Sequence, residues 1–200
     1  MNLSCLKHIS ETKPIKTLII SFAGHNKLFG GMPRFEFANF LNTNFANTDR
    51  FFYVDNKMDL YHKGISGITK SVDETCEYLK KEIAEYENVV FIGISAGGYA
   101  AILFGSLLHI NHVLAFIPQT LRTRQNIDEK YRDIAPYIND KTQYHLYSDL
   151  SITNEQDYHH ISQCERISYH ANVHLVKKEQ FNIKKMRDDG ELLTILRELV

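Results

Sequence analysis

The sequence predicts an α/β fold, with a doubly wound sheet of about six mostly parallel strands held between two layers of helices. Three observations predict it. Apolar runs of strand length recur along the chain with helical patterns between them. Several of these runs are continuous rather than alternating, as strands covered on both faces must be. One run ends in a glycine-rich turn that opens a helix of small residues, Gly93-Ile94-Ser95-Ala96-Gly97-Gly98.

The first strand is read from Ile15 to Phe22, and Arg34 to Asn42 after Pro33 reads as a helix, because proline suits a first helical turn. Phe51 to Val54 is the second strand. Ser71-Val72-Asp73-Glu74 then forms a capping box, and Val72, Cys76, Leu79 and Ile83 follow at spacings of four, three and four, which makes one apolar helix face. Val89 to Ile94, His112 to Ile117, Tyr144 to Tyr147 and Val173 to Val176 complete the strands. Thr153 with Gln156 is read as capping a helix that runs to about Cys164. Asp188 and Asp189 stand at the positive end of a last helix striped by Leu192, Leu196 and Leu199. The polar segment from Leu121 to Asp140 reads as a small cover over the carboxyl ends of the strands, where ligands bind in such sheets.

Two hundred residues fit a single domain spanning 1–200, and a chain of that size hides roughly 70% of its unfolded surface. A hydrophobic content of 44%, a charged content of 24% and a net charge of -1 give no electrostatic case for nucleic acid or an anionic membrane. Lys177-Lys178 and Lys184-Lys185-Met186-Arg187 are flanked by acids and read as a solvated face. Cys5, Cys76 and Cys164 are odd in number and far apart, which argues against a disulfide framework and for a reducing compartment. Met1 to His8 lacks the apolar core of a signal peptide, and no run approaches the roughly 20 apolar residues of a membrane span. The expectation is a soluble cytoplasmic protein with no cofactor.

The strand ending at Ile92 and the helix beginning near Gly98 place Ser95 at a strand-to-helix turn, the geometry of a nucleophile elbow. Small neighbours are required there because strand and helix approach closely. Oγ of Ser95 would stand above the sheet, with the amide of Ala96 and the helix amino terminus facing a developing oxyanion. Neither phosphate-loop pattern, G-x-x-x-x-G-K-[ST] or G-x-G-x-x-G, is present.

On Phe91 to Ala101, Ala115 to Thr120, Phe35-Glu36-Phe37, and Asp59-Leu60-Tyr61 before Gly64-Ile65, the chain resembles compact bacterial α/β-hydrolases found among polysaccharide-biosynthesis proteins. The resemblance implies a three-layer αβα fold and a serine esterase or O-acyltransferase acting on a small-molecule or glycan ester. It also implies that the first strand here matches the third of the larger fold, with the two leading antiparallel strands missing. Ala23 and Gly24, after the first strand, are the implied second source of oxyanion N–H groups.

A serine nucleophile needs a base and a carboxylate to orient it, in the chain order serine, acid, histidine. Asp157 is the favoured acid and Asp149 the alternative. The base should follow the last strand, where Phe181 and Asn182 stand instead, and neither side chain can take the serine proton. His160, near Asp157, is the first substitute and His25 the second; His174 lies inside a strand and suits packing. His159-His160 with Asp157 does not make a metal site, because no i, i+4 histidine or cysteine partner completes a tetrahedron. Two functions stay open: a serine esterase or acyltransferase, and a catalytically degenerate relative that binds a glycan or a protein.

Overall fold

The computed structural model describes residues 3–11, 16–25, 34–122 and 128–200. Its elements in chain order are β1 (Cys5–His8), β2 (Thr17–Phe22), α1 (Ala38–Asn44), β3 (Asp49–Tyr53), α2 (Val72–Ile83), β4 (Asn88–Ile94), α3 (Ala96–Leu108), β5 (His112–Phe116), β6 (Gln143–Asp149), α4 (Ser162–Glu165), β7 (Val173–Lys178), α5 (Ile183–Asp188) and α6 (Glu191–Leu199). The sheet runs β1-β3-β2-β4-β5-β6-β7. Every pairing is parallel except that of β1 with β3.

The continuous apolar runs are explained by their two faces. Along β2, Leu18, Ile20 and Phe22 join the cluster that holds residues of α2 and α3, whereas Ile19 joins the cluster that holds residues of α1 and α6. Phe22, fully buried, meets the rings of Phe91 and Phe104. Burying a side chain of this kind contributes roughly 1.5–3 kcal/mol. β4, at the centre of the sheet, is enclosed the same way, which fixes the level at which its carboxyl end emerges.

Five sequence expectations change. An antiparallel strand does lead the chain: β1 is four residues long, and Lys7 both pairs with Glu82 and lies 4.8 Å from the Phe51 ring centroid. Short, charged edge strands carry little hydrophobic signal because they guard against further pairing. Ile15 and Pro33 lie outside the described residues, and the helix expected from Arg34 begins at Ala38, after a turn in which Phe37 has φ +62°. The capping serine is Ser71, whose Oγ accepts from the Glu74 amide at 3.1 Å, while the Glu74 carboxylate accepts from Lys70 rather than from Ser71. Asp188 ends α5, and α6 begins after Gly190 at φ +81°.

The largest change lies between β6 and α4. No helix starts at Thr153; the Asn154 side chain accepts from the Gln156 amide at 3.0 Å and the Asp157 side chain from the His159 amide at 2.8 Å. Such local bonds offer the backbone an alternative to the helix, and α4 forms only from Ser162. The segment 150–161 is therefore a loop at the carboxyl end of β6.

Candidate active site

Ser95 sits at φ +56°, ψ -117°, a conformation that L residues adopt only where the surroundings enforce it. The enforcement is close packing. A Cβ on Gly93 would lie 2.2 Å from the Gly97 carbonyl, and one on Gly97 would lie 2.0 Å from the Phe22 carbonyl, so β2, β4 and α3 can converge here only on glycine. The Ser95 amide donates to the Phe116 carbonyl at 2.9 Å, which ties the turn to β5.

The ring beside the serine is that of His159. Its Nε2 lies 2.7 Å from Ser95 Oγ. His160, expected from the sequence as base, turns away: its Nδ1 lies 2.9 Å from Ser162 Oγ at the foot of α4. His25, the second expectation, stands instead with its Nε2 3.5 Å from the buried Asp55 carboxylate. That carboxyl is held below its ordinary range; burial pushes it up, but His25 and the amides of Tyr61 and Lys57 outweigh the burial. Reading 153–164 as a helix hid His159, because a helix would carry it away from the strand end. The asparagine and aspartate spaced through Asn154 to Asp157 were the available signal for a turn.

Asp157 stands two residues before His159, with Oδ1 3.4 Å from His159 Nδ1, longer than an ordinary N–H···O bond. Asp149, the alternative acid, is buried and accepts from the Ser151 amide and hydroxyl at 2.9 and 2.6 Å, a strand-end turn. In the loop after β7, Phe181 stacks on Phe116 at 5.7 Å and Asn182 caps α5 through the Lys185 amide. His174 packs within β7 against His145.

Gln119 closes the group. Its Nε2 is 3.2 Å from His159 Nε2 and 3.4 Å from Ser95 Oγ. Arginine only donates, and Arg122 reaches the other end of this amide, so the atom facing Arg122 is the oxygen and the nitrogen faces the serine. An amide nitrogen also only donates. His159 Nε2 is then the ring's acceptor, and its proton resides on Nδ1 towards Asp157. Burial lowers the His159 pKa and the nearby Arg122 adds to that, while Asp157 opposes both; the neutral, proton-accepting ring is favoured.

The expected oxyanion donors divide. The Ala23 amide donates to the Tyr53 carbonyl at 2.9 Å, and the Gly24 amide donates to the Glu36 carboxylate at 2.7 Å, so both are engaged. Ala96 opens α3, where the first N–H groups have no partner within the helix. Glu36 also walls a cleft of about 530 Å³ whose other sides include Phe37, Phe40, Ile94, Arg34, Lys184 and Arg187. Among the described residues no group of histidine, cysteine or acidic side chains is arranged to hold a metal ion, and no helix is long and apolar enough to cross a membrane.

No protein-family model matches the sequence, and no curated protein matches it. Solved structures do resemble it. A capsule O-acetyltransferase of Neisseria meningitidis serogroup A superposes with a TM-score of 0.61 at 13% identity, over 94% of this chain and 89% of that one. MenH from Staphylococcus aureus does so with a TM-score of 0.60 at 10% identity, over 98% and 97%. A lipase-esterase related protein from Clostridium acetobutylicum gives 0.61 at 9%, over 99% and 100%. With its parallel sheet, strained serine turn and whole-length likeness to these structures, the chain has the compact α/β-hydrolase fold.

Proposed function

We propose that this protein is a serine esterase or O-acyltransferase that works through an acyl-serine on Ser95. The observation that carries the reading is the 2.7 Å approach of His159 Nε2 to Ser95 Oγ at a strained strand-to-helix turn. A neutral imidazole at that distance can take the serine proton as Oγ attacks an ester or thioester carbonyl. Asp157 steadies the ring through Nδ1, and the Ala96 amide faces the oxyanion. The proton then passes from His159 to the leaving group.

A thioester donor is supported by two features. A similar capsule O-acetyltransferase structure holds CoA, and the cleft that reaches Ile94, next to Ser95 though lined by neither Ser95 nor His159, sets aromatic walls and Glu36 beside three cations, Arg34, Lys184 and Arg187. The acceptor class is a hydroxyl, glycan hydroxyls included, and the setting is polysaccharide biosynthesis in the cytoplasm. A degenerate glycan- or protein-binding relative would have no reason to keep a histidine on the serine. A fluorophosphonate probe tests the reading: stoichiometric labelling, lost in Ser95→Ala and strongly slowed in His159→Ala, is expected. An unlabelled wild-type protein would refute it.

A further inference from the structure

We infer that the Gln119 side chain fills the place from which water would attack the acyl-serine, so that this protein transfers acyl groups rather than hydrolysing them. The inference rests on the acyl-serine reading above. In acylation, Ser95 Oγ bonds to the carbonyl carbon, the bond to the leaving group breaks, and the Ser95 proton reaches the leaving group through His159. In deacylation, an incoming O–H gives its proton to His159 Nε2, its oxygen bonds to the acyl carbon, the bond to Oγ breaks, and the proton returns to Ser95.

The incoming oxygen must therefore stand within hydrogen-bond reach of His159 Nε2 and about 3 Å from a carbon bonded to Ser95 Oγ. Gln119 Nε2 lies 3.2 Å from His159 Nε2 and 3.4 Å from Ser95 Oγ, the atom to which that carbon is bonded, and so stands between the two groups that an incoming oxygen must approach. An amide nitrogen has no basic lone pair and cannot accept the acyl group.

The side chain is also held. Gln119 is 5% exposed and its oxygen accepts from Arg122, which is itself 3% exposed and lies 4.4 Å over the Tyr158 ring. The following residues are fastened: the Thr120 and Leu121 amides donate to the Gln163 side chain at 2.8 and 2.9 Å, and Arg166 grips both oxygens of Asp133 at 2.8 Å. Water brings no binding energy with which to displace this amide. A hydroxyl on a larger acceptor does, because contacts made by the rest of that molecule can offset the broken Arg122 bond.

The test uses p-nitrophenyl acetate, with acetyl-enzyme followed by mass spectrometry alongside nitrophenol release. Wild type is expected to give a burst of about one equivalent and then a slow phase. Gln119→Ala should raise the deacylation rate relative to the burst rate about tenfold or more, which corresponds to about 1.4 kcal/mol. Gln119→Met, which fills the same space without an amide, should stay slow, and thermal melting of both variants verifies folding. Deacylation no faster in Gln119→Ala, or equally fast in both variants, overturns the inference and leaves the acyl-serine reading standing. No burst from wild type, or a burst retained by Ser95→Ala, overturns that reading and this inference with it.

Discussion

Two loops at the carboxyl edge of the sheet divide the work that one loop was expected to do. After β7, where the resemblance calls for a histidine, Phe181 stacks on Phe116 and Asn182 caps a short helix. After β6, the loop 150–161 is partly open, with side chains of His159 and Asp157 that are 30% and 43% exposed, and it points an imidazole at Ser95. On the proposed reading, a base needs only to reach the serine from the rim of the sheet, so either strand's loop could supply it with the same geometry at Oγ.

The strongest test of this division is to remove each ring. His159→Ala should lower kcat/KM for an activated ester about 10²–10⁴-fold with little change in melting temperature, since a positioned general base contributes on that scale. Phe181→Ala should do the opposite: a loss of about 1–2 kcal/mol of stability from the truncated, half-buried ring, with activity retained. Comparable activity losses in the two variants would break the comparison.

Asp157→Asn should have a smaller effect, about tenfold to a hundredfold on kcat/KM, because the carboxylate is partly exposed and its contact with Nδ1 is loose. The pH profile carries the same information. The folded His159 pKa lies below 6.5, lowered chiefly by burial and further by Arg122, so the ring stays neutral as pH falls past 6.5 and the acid limb of kcat/KM should have its midpoint below that value. Asp157 supports the charged form, and its replacement by asparagine should move the limb further down. An upward movement would mean that Asp157 does not face the ring.

The parallel sheet, the elbow and the face of α2 were legible in the sequence because each is written by burial or by steric need: continuous apolar strands, glycines where backbones meet, and a stripe at helical spacing. β1 was not, since an edge strand with Lys7 and His8 has no buried face to announce it. The histidine beside Ser95 was missed for a related reason. Thr153 to Cys164 carries polar residues that satisfy both a helix start and a series of side-chain-to-backbone turns, and only contacts with Ser95 and the cover, far away in sequence, decide between them. Even so, the histidine expected beside Ser95 is the immediate neighbour of the one whose ring lies there.

The smallest expected effect concerns what holds Gln119's segment in place. His62 accepts from the Asp128 amide at Nδ1 and approaches the Tyr99 hydroxyl at 2.8 Å through Nε2, so the neutral ring hangs the described part of the cover on α3. Burial lowers its pKa to about 4 from an ordinary 6.5. The folded protein thus binds fewer protons here than the unfolded chain; this stabilisation is complete above pH 6.5 and is lost as pH falls towards 4. A protonated Nδ1 can no longer accept from Asp128. Amide exchange at Asp128 and its neighbours should therefore accelerate between pH 6.5 and 4, after correction for the intrinsic rate, while the amides of β4 stay protected. Equal acceleration in both regions would mean that the cover does not open separately from the sheet, and would tie Gln119 to the global stability of the fold rather than to His62.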